Sequence, residues 1–275
     1  MENSLQVVLI STYELGRQPF GLASPAAWLR REGAKVTCLD LAKQKFQVET
    51  IQSANLVAFY LPMHTATRIA VGAIERVKNL NPEAHLCCYG LYAPVNDGYL
   101  RGLGIQTIIG GEFEEGLASL ARRLRRAPLL KKGGEQSEPK ISLQRQKFLV
   151  PQRQDLLSLN HYAHLQMGGG VFRIAGYTEA SRGCLHLCRH CPVVPIYQGK
   201  FRIVQAEVVL EDIRRQVAGG AEHITFGDPD FFNGISHSLA ILDRLHQEHP
   251  DLTYDVTVKI EHLLKYSRHL HKLRK

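Results

Sequence analysis

The sequence predicts an α/β protein in two parts, a doubly wound parallel sheet followed by an incomplete barrel-like sheet. Three observations carry this. Short apolar runs alternate with amphipathic stretches from residue 5 to 126, a Gly-, Pro- and Lys-containing segment intervenes, and strand-helix-strand alternation resumes after residue 171. Such alternation argues for parallel strands with helices packed on the faces of each sheet.

In order along the chain, apolar runs at residues 7–10, 35–39, 56–61, 85–89 and 107–109 are the strands of the first part. Amphipathic stretches around 25–31, over 66–79 and from Glu114 onward are its helices. Five strands so ordered make residues 1–127 flavodoxin-like. Ligands of such sheets bind at the carboxyl ends of the strands, here the loops 11–21, 62–65, 90–96 and 110–114. The polar string Lys131-Lys132-Gly133-Gly134-Glu135-Gln136-Ser137-Glu138-Pro139 has linker composition, which places a domain boundary within 128–150. Leu156, Leu157, Leu159, Tyr162 and Leu165 stand near helical spacing and predict a bridging helix within 151–170, released by Gly168-Gly169-Gly170.

Residues 171–275 begin with a strand at 172–177 and continue with a helix carrying Val208, Val209 and Ile213 that ends at Gly219-Gly220. A strand at 222–226 and a third at 253–260 follow. At roughly 30 residues for each strand-helix unit, this stretch holds about three units, half of a barrel. The expectation is a chain interrupted before its barrel is finished.

Composition bounds the function. The chain has 275 residues, 44% hydrophobic and 22% charged, ordinary globular material for two domains. No run of about 18 apolar residues is present to span a bilayer, and the start carries no signal-peptide pattern, so a cytoplasmic protein with no membrane partner is expected. The net charge of +8 concentrates at Arg122-Arg123-Leu124-Arg125-Arg126 and Lys131-Lys132. Without interleaved aromatics this reads as helix-end cations running into a solvated linker, and no nucleic-acid partner is expected. Cys38, Cys87 and Cys88 lie in apolar strands and read as small buried residues. His64, in the 62–65 loop, reads as a helix-start or solvent-facing histidine.

Cys184, Cys188 and Cys191 form a CxxxCxxC string directly after the 172–177 strand. Three thiolates on one loop can hold three corners of a 4Fe-4S cube and leave the fourth iron without a protein ligand. The competing reading is zinc, because His186 and His190 interleave with the cysteines and zinc accepts mixed sets. Asp228 and Asp230 follow the 222–226 strand, where an acidic loop faces the mouth of a barrel, although Asp-Pro-Asp also shapes turns. Lys259, Glu261 and His262 stand where the third strand ends.

The cysteine loop behind its strand resembles the radical S-adenosylmethionine (SAM) superfamily. That resemblance implies a 4Fe-4S cluster on Cys184, Cys188 and Cys191, with SAM chelated to the free iron. His190 would lie against adenine, and Asp228 and Asp230 near the methionyl amine. Lys259 would meet the SAM carboxylate and Glu261 the ribose hydroxyls. It further implies reductive cleavage of SAM to a 5'-deoxyadenosyl radical acting on an unknown substrate, with an external electron donor of the flavodoxin or ferredoxin type. The strings Pro19-Phe20-Gly21-Leu22-Ala23, Ala26-Ala27-Trp28-Leu29-Arg30-Arg31-Glu32-Gly33 and Gly110-Gly111-Glu112-Phe113-Glu114, with Asp40 ending a strand, resemble the cobalamin-binding domain preceding many such cores. The loop Ser11-Thr12-Tyr13-Glu14-Leu15-Gly16 lacks the histidine that often ligates cobalt, which leaves cobalamin open. Glu179 to Cys184, Pro195 to Arg202 and Phe226 to Asn233, with Lys259 to His262, look like the CUAEP/CCAEP-tail subgroup, whose carboxy-terminal tail this sequence does not carry. The reading from a different class is a noncatalytic metal-binding or docking protein stapled by zinc or a cluster.

Overall fold

The computed structural model describes residues 4–126 and 138–274, and the chain divides into two compact units, Met1–Leu156 and Leu157–Lys275. The first contains β1 (Gln6–Ser11), α1 (Phe20–Arg31), β2 (Lys35–Asp40), α2 (Val48–Gln52), β3 (Leu56–Tyr60), α3 (His64–Leu80) and β4 (His85–Tyr89). It continues with α4 (Asp97–Gly102), β5 (Thr107–Gly111), α5 (Phe113–Arg126) and β6 (Ile141–Ser142). The strands form one parallel sheet in the order β2-β1-β3-β4-β5-β6.

Both faces of that sheet are apolar because β1 alternates its side chains between two cores. Val7 and Leu9 pack with Leu22, Leu29 and Leu117 from α1 and α5, while Val8 and Ile10 pack with Ile74 and Val77 from α3. Helix α1 starts five residues before the expected Pro25 and carries that proline in its interior. Proline has no N–H for the carbonyl of Gly21, and the Tyr89 hydroxyl donates to that carbonyl at 2.8 Å instead. His64 is the exposed first residue of α3. Cys38, Cys87 and Cys88 are buried, and burial pushes the Cys38 thiol up to about 12.

Two expectations change here. Residues 127–137 of the expected linker lie outside the described residues, but 138–156 are part of the first unit. Gly110 N donates to Lys140 O at 2.8 Å and Glu112 N to Ser142 O at 2.8 Å, so this segment covers what would be a bare edge of β5. Arg30 pairs with Asp155 at 2.5 Å and Gln152 N donates to Ala23 O at 2.9 Å, which fastens it to α1. The expected helix across 151–170 is absent. A single 3-10 turn at Leu159–His161 leads into β7 (His164–Gln166), and Gly168, Gly169 and Gly170, all at positive φ, turn the chain back into the next strand.

The second unit then runs β8 (Phe172–Thr178), β9 (Ser181–Gly183), α6 (Val194–Tyr197), β10 (Phe201–Ile203), α7 (Ala206–Ala218) and β11 (His223–Phe226). It ends with α8 (Ile235–Glu248), β12 (Thr253–Asp255) and α9 (Ile260–Lys265). Its main sheet has the order β12-β11-β8-β7, with β8, β11 and β12 parallel and β7 antiparallel; β9 and β10 form a separate hairpin. The third strand stops at Asp255, earlier than expected. Helix α7 approaches β8 closely because Gly176 has no side chain: a Cβ there would run into Gln216, whose amide oxygen accepts from Tyr177 N at 2.9 Å. No described helix is long and apolar enough to cross a membrane.

Candidate functional site

The cysteine loop leaves the carboxyl end of β8 through the short strand β9. Gly183, at φ +73, immediately precedes Cys184, and a Cβ at this position would collide with the Tyr197 ring and the Lys200 carbonyl. Only glycine fits both the backbone and the space. The three cysteines are half-buried, unlike the other three, and the loop turns on itself where Cys191 N donates to Cys188 O at 3.2 Å.

From the end of β11 two side chains hold this loop. Asp228 is buried and accepts from Ala180 N at 3.0 Å and Ser181 Oγ at 2.6 Å, clamping the approach to Cys184. Burial pushes its carboxyl up to about 7, against the lowering effect of these hydrogen bonds. Asn233 Oδ1 accepts from Leu185 N at 3.3 Å and lies 4.0 Å from Cys184 Sγ.

Asp230, 2% exposed, turns the other way. Its Oδ1 accepts from Phe232 N at 3.2 Å, and its Oδ2 lies 3.3 Å from His186 Nε2 and 2.8 Å from His262 Nδ1. Cys184, His186 and Asp230 each place a donor atom within 4.8 Å of the others. Lys259 Nζ is 2.9 Å from His186 Nδ1 and 3.1 Å from Glu261. Glu261 raises the Lys259 pKa, with smaller contributions from Cys188 and Cys184, and Lys259 lowers that of Glu261.

The structure thus brings Cys184, Asp230, Lys259 and Glu261 together and adds His186, His262 and Asn233. Asp228 is spent on the backbone and Ser181, so it faces the loop's approach and stays out of the cluster of donors. His190 is exposed, and among the described contacts none joins it to these groups. Cys188 and Cys191 also stand outside the tight donor group. Three separate half-buried thiols on one loop suit a cube, which presents a different iron to each thiolate. The fit to a cluster therefore rests on three half-buried thiols with a cation, Lys259, beside two of them.

No family profile matches the chain. By sequence it is 28% identical over 131 residues to a tRNA-2-methylthio-N(6)-dimethylallyladenosine synthase from Desulfosudis oleivorans, covering 42% of this chain and 28% of that protein. It is 30% identical over 129 residues to a biotin synthase from Chlorobium phaeobacteroides, covering 42% of this chain and 39% of that protein. The fold matches the radical SAM methyltransferase TsrM from Kitasatospora setae, with cobalamin and a 4Fe-4S cluster bound, at TM-score 0.64 and 17% identity over 90% of this chain and 54% of that one. A second structure of TsrM, with tryptophan and a SAM analogue bound, matches at the same TM-score of 0.64. The chain thus spans about half the length of the solved structures and less of the two sequence relatives. Part of the chain is thus similar in sequence to these two enzymes, and its fold is similar to that of a radical SAM methyltransferase.

Proposed function

We propose that the second unit holds a 4Fe-4S cluster on Cys184, Cys188 and Cys191 with SAM beside it, as the core of an enzyme that cleaves SAM reductively. The observation that carries this reading is the three-thiol loop at the carboxyl ends of the parallel strands β8 and β11. When bound, the cluster supplies the electron that splits SAM into methionine and a 5'-deoxyadenosyl radical.

The chain's own residues prepare the place. Asp228 and Asn233 fix the start of the loop, so that Cys184 is presented in one geometry. Lys259, held by Glu261, offers an ammonium to a carboxylate at the same strand ends. The exposed Glu261 can take hydroxyl donors, and the exposed His190 imidazole can stack on a base. The substrate belongs to parts of the site that these residues do not define, and the electron donor is proposed as a small redox protein. Cobalamin enters the proposal for the first unit on its fold alone. There Gly21 and Gly90 are already closed over by Tyr60 and Gly110 by Pro94, and loop 11–16 has no histidine, so no residue is assigned to it and no step passes through it.

The test is spectroscopic. Cluster-loaded chain, reduced anaerobically, should change its electron paramagnetic resonance signal on addition of SAM, and Lys259→Ala should raise the SAM concentration needed by about tenfold. A signal indifferent to SAM at saturating concentration would remove SAM from the site.

A further inference from the structure

Charge is distributed unevenly along this chain. Residues 180–206, which include the cysteine loop, carry four lysines and arginines and no carboxylate, and residues 256–275 carry six against Glu261 alone. The two segments together hold more than the net charge of +8, so the rest of the chain is close to neutral. The basic run at the end of α5 is offset by its own neighbours, Arg122 pairing with Glu32 and Glu115, and Arg123 with Glu138. Among the described residues no carboxylate pairs with Arg189, Lys200, Lys265 or Arg268.

The same ground exposes apolar side chains. Leu185, Leu187, Ile260 and Leu264 are 47%, 65%, 72% and 74% exposed. Leu185 and Leu187 flank His186, whose Nδ1 lies 2.9 Å from Lys259 Nζ, and Ile260 follows that lysine as the first residue of α9. Leu264 stands one turn further along the helix, with Lys265 beside it. A Cβ on Gly199 would sit 3.3 Å from Leu187 Cδ2, so the hairpin turn that leads to Lys200 adjoins the loop. Cysteine loop, hairpin turn and α9 thus form one face, apolar with a cationic rim.

We infer that this face docks the protein that delivers the electron, a small redox protein whose surface around its own cofactor is acidic. The inference rests on the proposed cluster, which gives an electron reason to arrive at this loop. In the docked complex one electron leaves the partner's reduced cofactor and enters the oxidised cluster, and no bond in either protein changes. An apolar centre inside a charged rim is the anatomy of a protein interface, and unpaired cations speed the encounter with an acidic partner. A small contact suits a carrier that must leave after each delivery. A second copy of this chain is the wrong occupant, because a two-fold contact would set this cationic rim against itself. RNA would meet the same cations, but the large apolar side chains exposed in the two segments are all aliphatic, and single-stranded bases need aromatic faces to stack on.

The test uses an acidic flavodoxin as the probe, titrated calorimetrically against the full chain with its cluster loaded. One flavodoxin per chain should bind, and more weakly as salt is raised. The double variant Lys200→Glu/Lys265→Glu and the single variant Leu264→Asp should each weaken binding by about tenfold or more. Lys45→Glu/Arg126→Glu, the same change of charge on exposed residues of the first unit, should leave it unchanged. Circular dichroism checks that each variant is folded. Stopped-flow reduction by reduced flavodoxin should slow by the same factor in the first two variants, while reduction by dithionite and the response of the signal to SAM stay as in the parent. Failure of the cluster itself shows as missing iron in the parent chain, whereas failure of the docking shows as loaded variants that bind and reduce like the parent. Parental affinity in Lys200→Glu/Lys265→Glu and Leu264→Asp, or equal weakening in the first-unit control, would overturn the inference. So would a dimer in sedimentation that Leu264→Asp dissociates, or bulk tRNA that displaces flavodoxin and loses its own binding in Lys200→Glu/Lys265→Glu.

Discussion

Asp228 ties the end of β11 to the two residues that precede the cysteine loop, and its value lies in where it puts Cys184. Removing its hydroxyl partner in Ser181→Ala deletes one hydrogen bond to a buried carboxyl group. Urea denaturation should show a loss of about 1–3 kcal/mol, with cluster loading reduced. Gly183→Ala should be worse. A non-glycine residue at positive φ costs about 1–2 kcal/mol before the collision with Tyr197 is counted, so loss of soluble folded protein or a clear fall in midpoint is expected. At this scale the sequence was legible where chemistry is contiguous. Cys184, Cys188 and Cys191 can be read from spacing alone, whereas the meeting of His186 with Asp230 and His262 depends on three strand ends coming together. The position of His186, two residues after the first cysteine, was the one signal available. Asp228 and Asp230 look alike in sequence, and only burial and partners separate a brace from a donor.

Elements explain the two places where the pattern misled. Leu156, Leu159 and Tyr162 are all buried and three residues apart, which imitates a helix, but turns and a 3-10 segment produce the same spacing. What decides the structure after them is the open edge of β8, which β7 covers through a hairpin whose turn is the glycine run. In α1 the reverse occurred: Pro25 looked like a helix start, yet Tyr89 supplies the missing donor and the helix begins at Phe20. Tyr89→Phe should therefore lower stability by about 1–3 kcal/mol in chemical denaturation, since it leaves the Gly21 carbonyl buried and unpaired. A cost near zero would mean that the carbonyl finds another donor. At the start of β4, burial, helped by Arg123, pushes the His85 imidazole down to about 4. Its native state therefore stays neutral where the unfolded chain, near 6.5, takes up a proton. Stability should fall as pH drops from about 6.5 to about 4 and then level off for this group. His85→Gln should flatten that part of the curve.

Across the whole chain, the order of strands and helices was legible because parallel sheets buried on both faces leave continuous apolar runs, as in β1, β3 and β4. The sixth strand was not, because β6 is two residues long and half-buried, held by pairing to β5 more than by its own side chains. The boundary lay later than composition suggested for the same reason, since residues 138–150 read as linker and 151–156 as part of a bridging helix, yet they bond to β5 and α1. In the second unit β12 forms an edge of its sheet, and Ile260 and Leu264 of α9 are exposed at 72% and 74%, an apolar surface beside the cluster loop. The proposed function depends on the three loop thiols taking a cube. The direct measurement is iron and acid-labile sulfide after anaerobic reconstitution of the full chain and of its Cys184→Ala, Cys188→Ala and Cys191→Ala variants. The account predicts about four of each per chain and their loss in every variant. Iron-free protein, or variants that load as well as the parent, would contradict it.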